Sequence, residues 1–284
     1  MSEERIHGND CPPWPMAGIG QSVEKQKEVY QARPFLYRHS DLDIDFDENF
    51  RPKLITQLLT SCLHRNDGTK ISEQEIWHWS LKERFQGLLG IVVSTLGQHL
   101  RLQVSCSKTD CHELMEIDLD LALFIQDEPP IPLFCRPDSE TELILRLPNG
   151  LDQLNWVNNQ YDMADNWFSE MASSLVIRIN GETPSQGFRV SENWLDQIGV
   201  ELEQHDGLMT LEINTCCPVC SKDLLLDLDL EEKLLEILSS EQKLLLKQIH
   251  KIALAYQWSE ADIVAMPNKR RQFYLAQIDK ESVS

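Results

Sequence analysis

Residues 101–121, RLQVSCSKTDCHELMEIDLDL, and residues 210–230, TLEINTCCPVCSKDLLLDLDL, are two versions of one pattern. Each has an alternating apolar run, a pair of cysteines and a second alternating run. Alternation with a period of two marks a half-buried strand. Counted from the second cysteine of each pair, Ile117-Asp-Leu-Asp-Leu121 falls on Leu226-Asp-Leu-Asp-Leu230 without a gap. Each stretch therefore reads as strand, cysteine knuckle, strand. Two such hairpins can close on one metal ion with approximate two-fold symmetry. Zinc takes four thiolates at about 2.3 Å in a closed tetrahedron. Cys106-x4-Cys111 and Cys217-x2-Cys220 each allow a tight turn to aim two sulfurs at one point. The repeat thus predicts one structural Zn2+ held by Cys106, Cys111, Cys217 and Cys220. With 105 residues between Cys111 and Cys217, the ion would staple distant parts of one domain. Cys216 is an alternative to Cys217, although Cys217-Pro-Val-Cys220 is the better turn. His112 reads as a solvent-side residue, and Cys11, Cys62 and Cys135 as incidental.

The rest of the chain surrounds these hairpins with helices, which gives an α+β fold with a split zinc-ribbon-like core. Residues 1–50 hold Pro12, Pro13, Pro15 and Pro34, then the acidic DLDIDFDEN, and show no periodicity. They read as an extended or partly disordered arm. Residues 51–284 read as a single domain in three parts: 51–125, 126–205 and 206–284. From Arg51 the period is helical, with Leu54, Leu58, Leu59 and Cys62 on one face. A second helix follows Ser72, whose Ser-Glu-Gln-Glu is a capping box, and places Ile76, Trp77, Leu81, Phe85, Leu88 and Leu89 inward. The middle part has a Pro-rich loop, then a strand that stops at Pro148, where Asn149 and Asp152 offer a helix start. Helices follow over 164–175 and after Ser191. After the second knuckle a long helix is expected from Ser239, capped by Ser-Ser-Glu-Gln. A last pair of short helices starts at Ser259 and near Asn268, with Phe273, Tyr274 and Ile278 inward.

Charge narrows the function. The chain has 46 acidic and 26 basic residues, a formal net charge of −20. Most of that surface repels a phosphate backbone, which disfavours nucleic acid as a partner. The one basic cluster is Lys269, Arg270 and Arg271. No apolar run approaches the roughly 20 residues that span a bilayer, and the first residues have no apolar core of a secretory signal. A cytoplasmic protein is expected, in which cysteines bind metal or lie buried as thiols. Cys111-His112-Glu113 with the later Cys217–Cys220 pair loosely follows a zinc deaminase. Against that reading, four available cysteines leave a zinc no open position. No Gly-rich phosphate loop or paired catalytic carboxylate stands out, so a non-enzymatic, protein-binding role is expected. A zinc-ribbon nucleic-acid-binding regulator is the alternative.

Three segments carry a resemblance to a known family. One is the pair of knuckles, each followed by an acidic-apolar strand. The second is ILRLPNGLDQL, similar to a strand, Leu-Pro turn, Asp and helix, with Asn149 where a hydroxyl residue is usual. The third is IHKIALAYQWSEADIVAMPNKRRQFYLAQI near the C-terminus. Over roughly residues 50–280 the chain resembles the baseplate hub assembly proteins of T4-like phages and of phage-derived contractile injection systems. The resemblance implies a baseplate component, or a chaperone for hub assembly, whose partners are hub, spike or other tail proteins. Leu147, Pro148, Asn149 and Asp152, together with Lys269, Arg270 and Arg271, are the candidate partner contacts.

Overall fold

The computed structural model describes residues 13–15, 29–48, 50–125, 132–158, 167–206 and 210–281. The fold is mixed α and β, with small antiparallel sheets among helices. Among the described residues, no helix is long and apolar enough to cross a membrane. Strands β1 (Pro13–Pro15), β2 (Val29–Ala32) and β3 (Leu63–Arg65) form one antiparallel sheet. Helices α1 (Arg51–Cys62), α2 (Glu73–Trp77) and α3 (Leu81–Leu96) pack beside it. The first hairpin is β4 (His99–Ser105) and β5 (Leu114–Asp120). A second sheet joins β6 (Leu133–Cys135), β7 (Leu143–Leu145) and β8 (Val176–Ile179), with α4 (Gly150–Asn158), α5 (Trp167–Leu175) and α6 (Leu195–Asp206) around it. The second hairpin is β9 (Thr210–Cys216) and β10 (Asp223–Asp229). The chain ends in α7 (Leu230–Tyr256), α8 (Glu260–Val264) and α9 (Asn268–Glu281).

The main core explains the first helices. Leu54, Leu58, Leu59 and Cys62 are all buried on α1, as their spacing predicts. The helical run after Ser72 is not one helix. Ser72 caps α2 by accepting from the Glu75 amide, but the Glu75 carboxylate is bound to Arg65 instead of closing the box. The chain then turns over buried Trp79 and restarts at Ser80, where Ser80 and Glu83 form a complete capping box. Ile76, Phe85, Leu88 and Leu89 are fully buried. Each such side chain stabilises the fold by about 1.5–3 kcal/mol relative to exposure.

Three expectations are corrected. Residues 30–48 are not an arm: Tyr30, Ala32, Phe35 and Ile44 lie in the main core. They are held there by the buried Arg33–Asp41 pair and by Gln242, whose amide donates to the carbonyls of Asp41 and Ile44. The rest of the expected arm lies outside the described residues, apart from β1, Val29 and Phe50. The long helix starts at Leu230, not Ser239. Asp229 caps it by accepting from the Glu232 amide, and Leu230, Leu234, Leu235 and Leu238 bury the extra turns. Phe273 is exposed at 60% instead of facing the core, while Tyr274 and Ile278 are half-buried. Ala164, expected on the α5 face, lies outside the described residues.

Two buried carboxyls give the fold a pH dependence. Burial pushes Glu83 up to about 7, against hydrogen bonds from the Ser80 hydroxyl and amide. Burial raises Glu231 to about 7 as well, opposed by Arg51. In the unfolded chain a Glu titrates near 4.3. Between those values the folded state binds more protons than the unfolded state, so stability falls as pH rises through this window and levels off above it. Glu83→Gln keeps an acceptor for the Ser80 amide and removes one of the two titrations. Its melting temperature should therefore decline less than that of the native protein from about pH 5 to pH 7. Parallel profiles for the two proteins would rule out this role for Glu83.

Candidate metal centre

The two hairpins are built alike, residue by residue. In the first, pairing runs from His99↔Asp120 to Ser105↔Leu114. In the second, it runs from Thr210↔Asp229 to Cys216↔Asp223. Cys106 and Cys217 each follow the last paired residue. The Cys106 amide donates to the Glu113 carbonyl at 2.8 Å, and the Cys217 amide to the Lys222 carbonyl at 2.9 Å. The second cysteine of each knuckle is followed by a residue in the left-handed region, His112 (φ 49°) and Ser221 (φ 54°). That residue turns the chain back into the outgoing strand. Strands β5 and β10 then bury the same positions: Met115 and Leu119 in one, Leu224 and Leu228 in the other. Both strands end on an aspartate cap, Asp120 to the Ala122 amide and Asp229 to the Glu232 amide.

The hairpin bases differ in role from the tips. Leu100, Leu102, Leu119 and Leu228 belong to the main core. At the tips Met115 and Leu224 pack against the cysteines, with Val104 and Leu226 partly buried beside them. Lys222 Nζ reaches Ser107 Oγ of the other hairpin at 3.3 Å. This packing brings all four predicted sulfurs together. The thiols of Cys106, Cys111, Cys217 and Cys220 lie within 4.8 Å of one another. Cys106 Sγ is 3.7 Å from Cys220 Sγ, and Cys111 Sγ is 3.8 Å from Cys217 Sγ. A tetrahedron with metal–sulfur bonds of about 2.3 Å has edges of about 3.8 Å, so the sulfurs are spaced to hold one ion. They are too far apart for a disulfide, whose sulfurs bond at about 2.05 Å.

The chemistry of the donors agrees with the spacing. The backbone amide of Cys220 draws the Cys217 thiol down to about 7, against burial and with help from the Val219 amide. The Glu113 amide favours the Cys111 thiolate, but burial and the other three sulfurs outweigh it and push that thiol up to about 12. Four thiolates cannot share this space without a cation between them. Metal binding would displace the protons that hold them neutral. Four cysteines would fill a tetrahedral ion and leave it no open position.

The remaining candidates fall elsewhere. Cys216 is exposed and outside the cluster, so Cys217 is the residue of the pair that joins the other three thiols. His112 and Glu113 are exposed and outside it too. Cys62 and Cys135 are buried in separate cores, and Cys11 lies outside the described residues.

The LPNG turn is engaged within the fold. Pro148 is buried and its carbonyl accepts from the Leu81 amide at 3.0 Å. Asn149 and Asp152 cap α4 reciprocally, at 3.0 and 2.8 Å, and Asp152, only 6% exposed, pairs with Arg146. Leu147 is half-buried against the second sheet's core. A Cβ on Gly150 would lie 2.7 Å from Arg84 Nη1, so this close approach needs glycine. Sequence reasoning missed that contact, since Arg84 looks like an ordinary surface position within a helix. Lys269 and Arg270 are exposed at the start of α9, whereas Arg271 is half-buried and donates to the Met266 carbonyl. No protein-family model, no curated protein and no solved structure matches this chain.

Proposed function

We propose that this chain is a non-enzymatic assembly protein of a contractile tail, either a baseplate component or a chaperone for the hub, with a structural Zn2+ clasping a split zinc-ribbon-like core. The observation that carries the structural half is the closed cluster of Cys106, Cys111, Cys217 and Cys220. A centre with four thiolate ligands holds a fold and offers no site for substrate. Tetrahedral sulfur sites suit zinc or iron, and a zinc ion adds stability without redox chemistry. The tail assignment rests on the resemblance of the knuckles, the ILRLPNGLDQL turn and the C-terminal helices to the hub assembly family.

Two measurements test the two halves. Protein purified under reducing, chelator-free conditions should hold one zinc per chain, and a ratio near zero would remove the clasp. Co-expression with the hub and spike proteins of the same particle should yield a complex that survives size exclusion. The exposed Lys269 and Arg270 favour nucleic-acid binding as the second reading. Retention on duplex DNA at low salt, with no tail protein bound, would replace the first reading by that one.

A further inference from the structure

Charge is unevenly placed along this chain. Residues 242–280 hold seven Lys and Arg against three Asp and Glu, whereas the whole chain holds 26 against 46. Much of this basic excess lies on α7. Lys243, Leu246, Lys247, His250 and Leu254 are spaced i, i+3, i+4, i+7 and i+11, which puts them on one helix face. All five are exposed, Leu246 at 40% and Leu254 at 76%. The opposite face, with Leu245, Ile249 and Ile252, is buried.

Two features of this stripe call for an anionic partner. Lys243, Lys247 and Lys251 stand four residues apart, and like charges at that spacing repel along a helix. Lys251 is relieved by Asp279 at 3.0 Å. Lys243 and Lys247 have no ion pair among the described residues, although Arg51, Arg65, Arg136 and Arg146 all have one. Two cations without an ion pair beside exposed leucines are the complement of a leucine stripe flanked by carboxylates.

We propose that the outer face of α7 between Lys243 and Leu254 docks an acidic amphipathic helix of a partner protein. Apolar residues of that helix cover Leu246 and Leu254, and its carboxylates pair with Lys243 and Lys247. The stripe is about 17 Å long. A short acidic helix matches that length, whereas the net charge of −20 disfavours the longer contact of a nucleic acid or an anionic bilayer. The leucines also offer a phosphate backbone nothing. This inference rests on the reading of the chain as a binding protein and adds the chemistry of its partner.

The test uses the full chain and a fluorescein-labelled synthetic helix with a leucine stripe flanked by glutamates. Its control is the same peptide with lysine for glutamate. The acidic peptide should bind the native protein more tightly than the control does, and more weakly as salt rises. Lys243→Glu with Lys247→Glu should weaken it at least about tenfold, and Leu254→Ala should weaken it as well. Unchanged melting temperatures show that these surface variants fold. Equal binding of the two peptides, or no effect of the charge reversal, overturns the proposal. So does binding through these lysines to duplex DNA, to mixed phosphatidylcholine–phosphatidylserine vesicles or to a second copy of the chain in place of the peptide. Peptide binding without any hub complex would keep this face and remove the tail reading, and the reverse result would do the opposite.

Discussion

Replacing Cys217 by serine is expected to abolish stoichiometric metal binding and to lower the melting temperature by about 10 °C. The argument is one of linkage. An ion that binds the folded chain at about a thousand times its dissociation constant adds about 4 kcal/mol to stability. For a chain of this size, each kcal/mol moves the melting temperature by about 2–4 °C. Cys217 is the right position because it is buried in the cluster and 3.8 Å from Cys111 Sγ. Cys216→Ser, one residue away and exposed, should leave both quantities unchanged. Chelator should bring the native protein down to the melting temperature of the Cys217 variant and leave the variant itself unaffected. A variant with full zinc content would show that the four sulfurs do not act as one site.

Arg84→Ala should be the most damaging substitution away from the cysteine cluster, at about 3–5 kcal/mol from the cavity and the lost hydrogen bonds together. Arg84 is 1% exposed. Its guanidinium donates to the Ile76 carbonyl at 3.1 Å, to Thr56 Oγ1 at 2.8 Å and to the Pro52 carbonyl. It also lies 5.0 Å from the Trp77 ring centroid. Burial draws its pKa down to about 10, opposed by nearby Glu231, so it remains charged at neutral pH. One side chain thus ties α1, α2 and α3 together and fills the space against Gly150. Truncation removes three hydrogen bonds, leaves a cavity and takes positive charge away from Glu231, while the Ile76 carbonyl keeps the Trp79 amide and the Pro52 carbonyl keeps Thr56 Oγ1. Arg84→Met fills the volume but restores no hydrogen bond. Chemical denaturation should rank the native protein first, Met second and Ala last. A loss below about 1 kcal/mol for Ala would show that the network is dispensable.

The parts of this fold that are legible in the sequence are those with local signals. The alternating strands, the four cysteines, the Asn149–Asp152 cap and the Leu81–Leu89 face depend on neighbours within a few residues. What the sequence conceals depends on distant partners. Residues 30–48 look like an arm because their anchors are single residues. Arg33 pairs with the Asp41 carboxylate, and Gln242 meets the carbonyls of Asp41, Leu42 and Ile44 from about 200 positions away. The start of α7 is hidden for a different reason. The last strand residues, Asp-Leu-Asp, satisfy a period of two, and Asp229 also serves as a helix cap. Ser239-Ser-Glu-Gln is an equally good local cap, and only the burial of Leu230, Leu234 and Leu238 decides between them. For the LPNG turn the sequence signals a helix start, whereas its docking against Trp79 and Arg84 is purely tertiary.

The distance between the two knuckles also has a meaning in time. Cys106 and Cys111 leave the ribosome first, and 105 more residues separate Cys111 from Cys217. At about 5–20 residues per second, the first pair waits about 5–20 s for its partners. Throughout that interval the nascent chain carries half of the four-cysteine cluster, with the intervening sheet and helices free to form. An ion could be enclosed by all four sulfurs only after the second hairpin emerges, and β10 runs directly into the N-terminus of α7. A metal held by all four cysteines would therefore be captured only after the main-core residues from Tyr30 to Leu121 have been made.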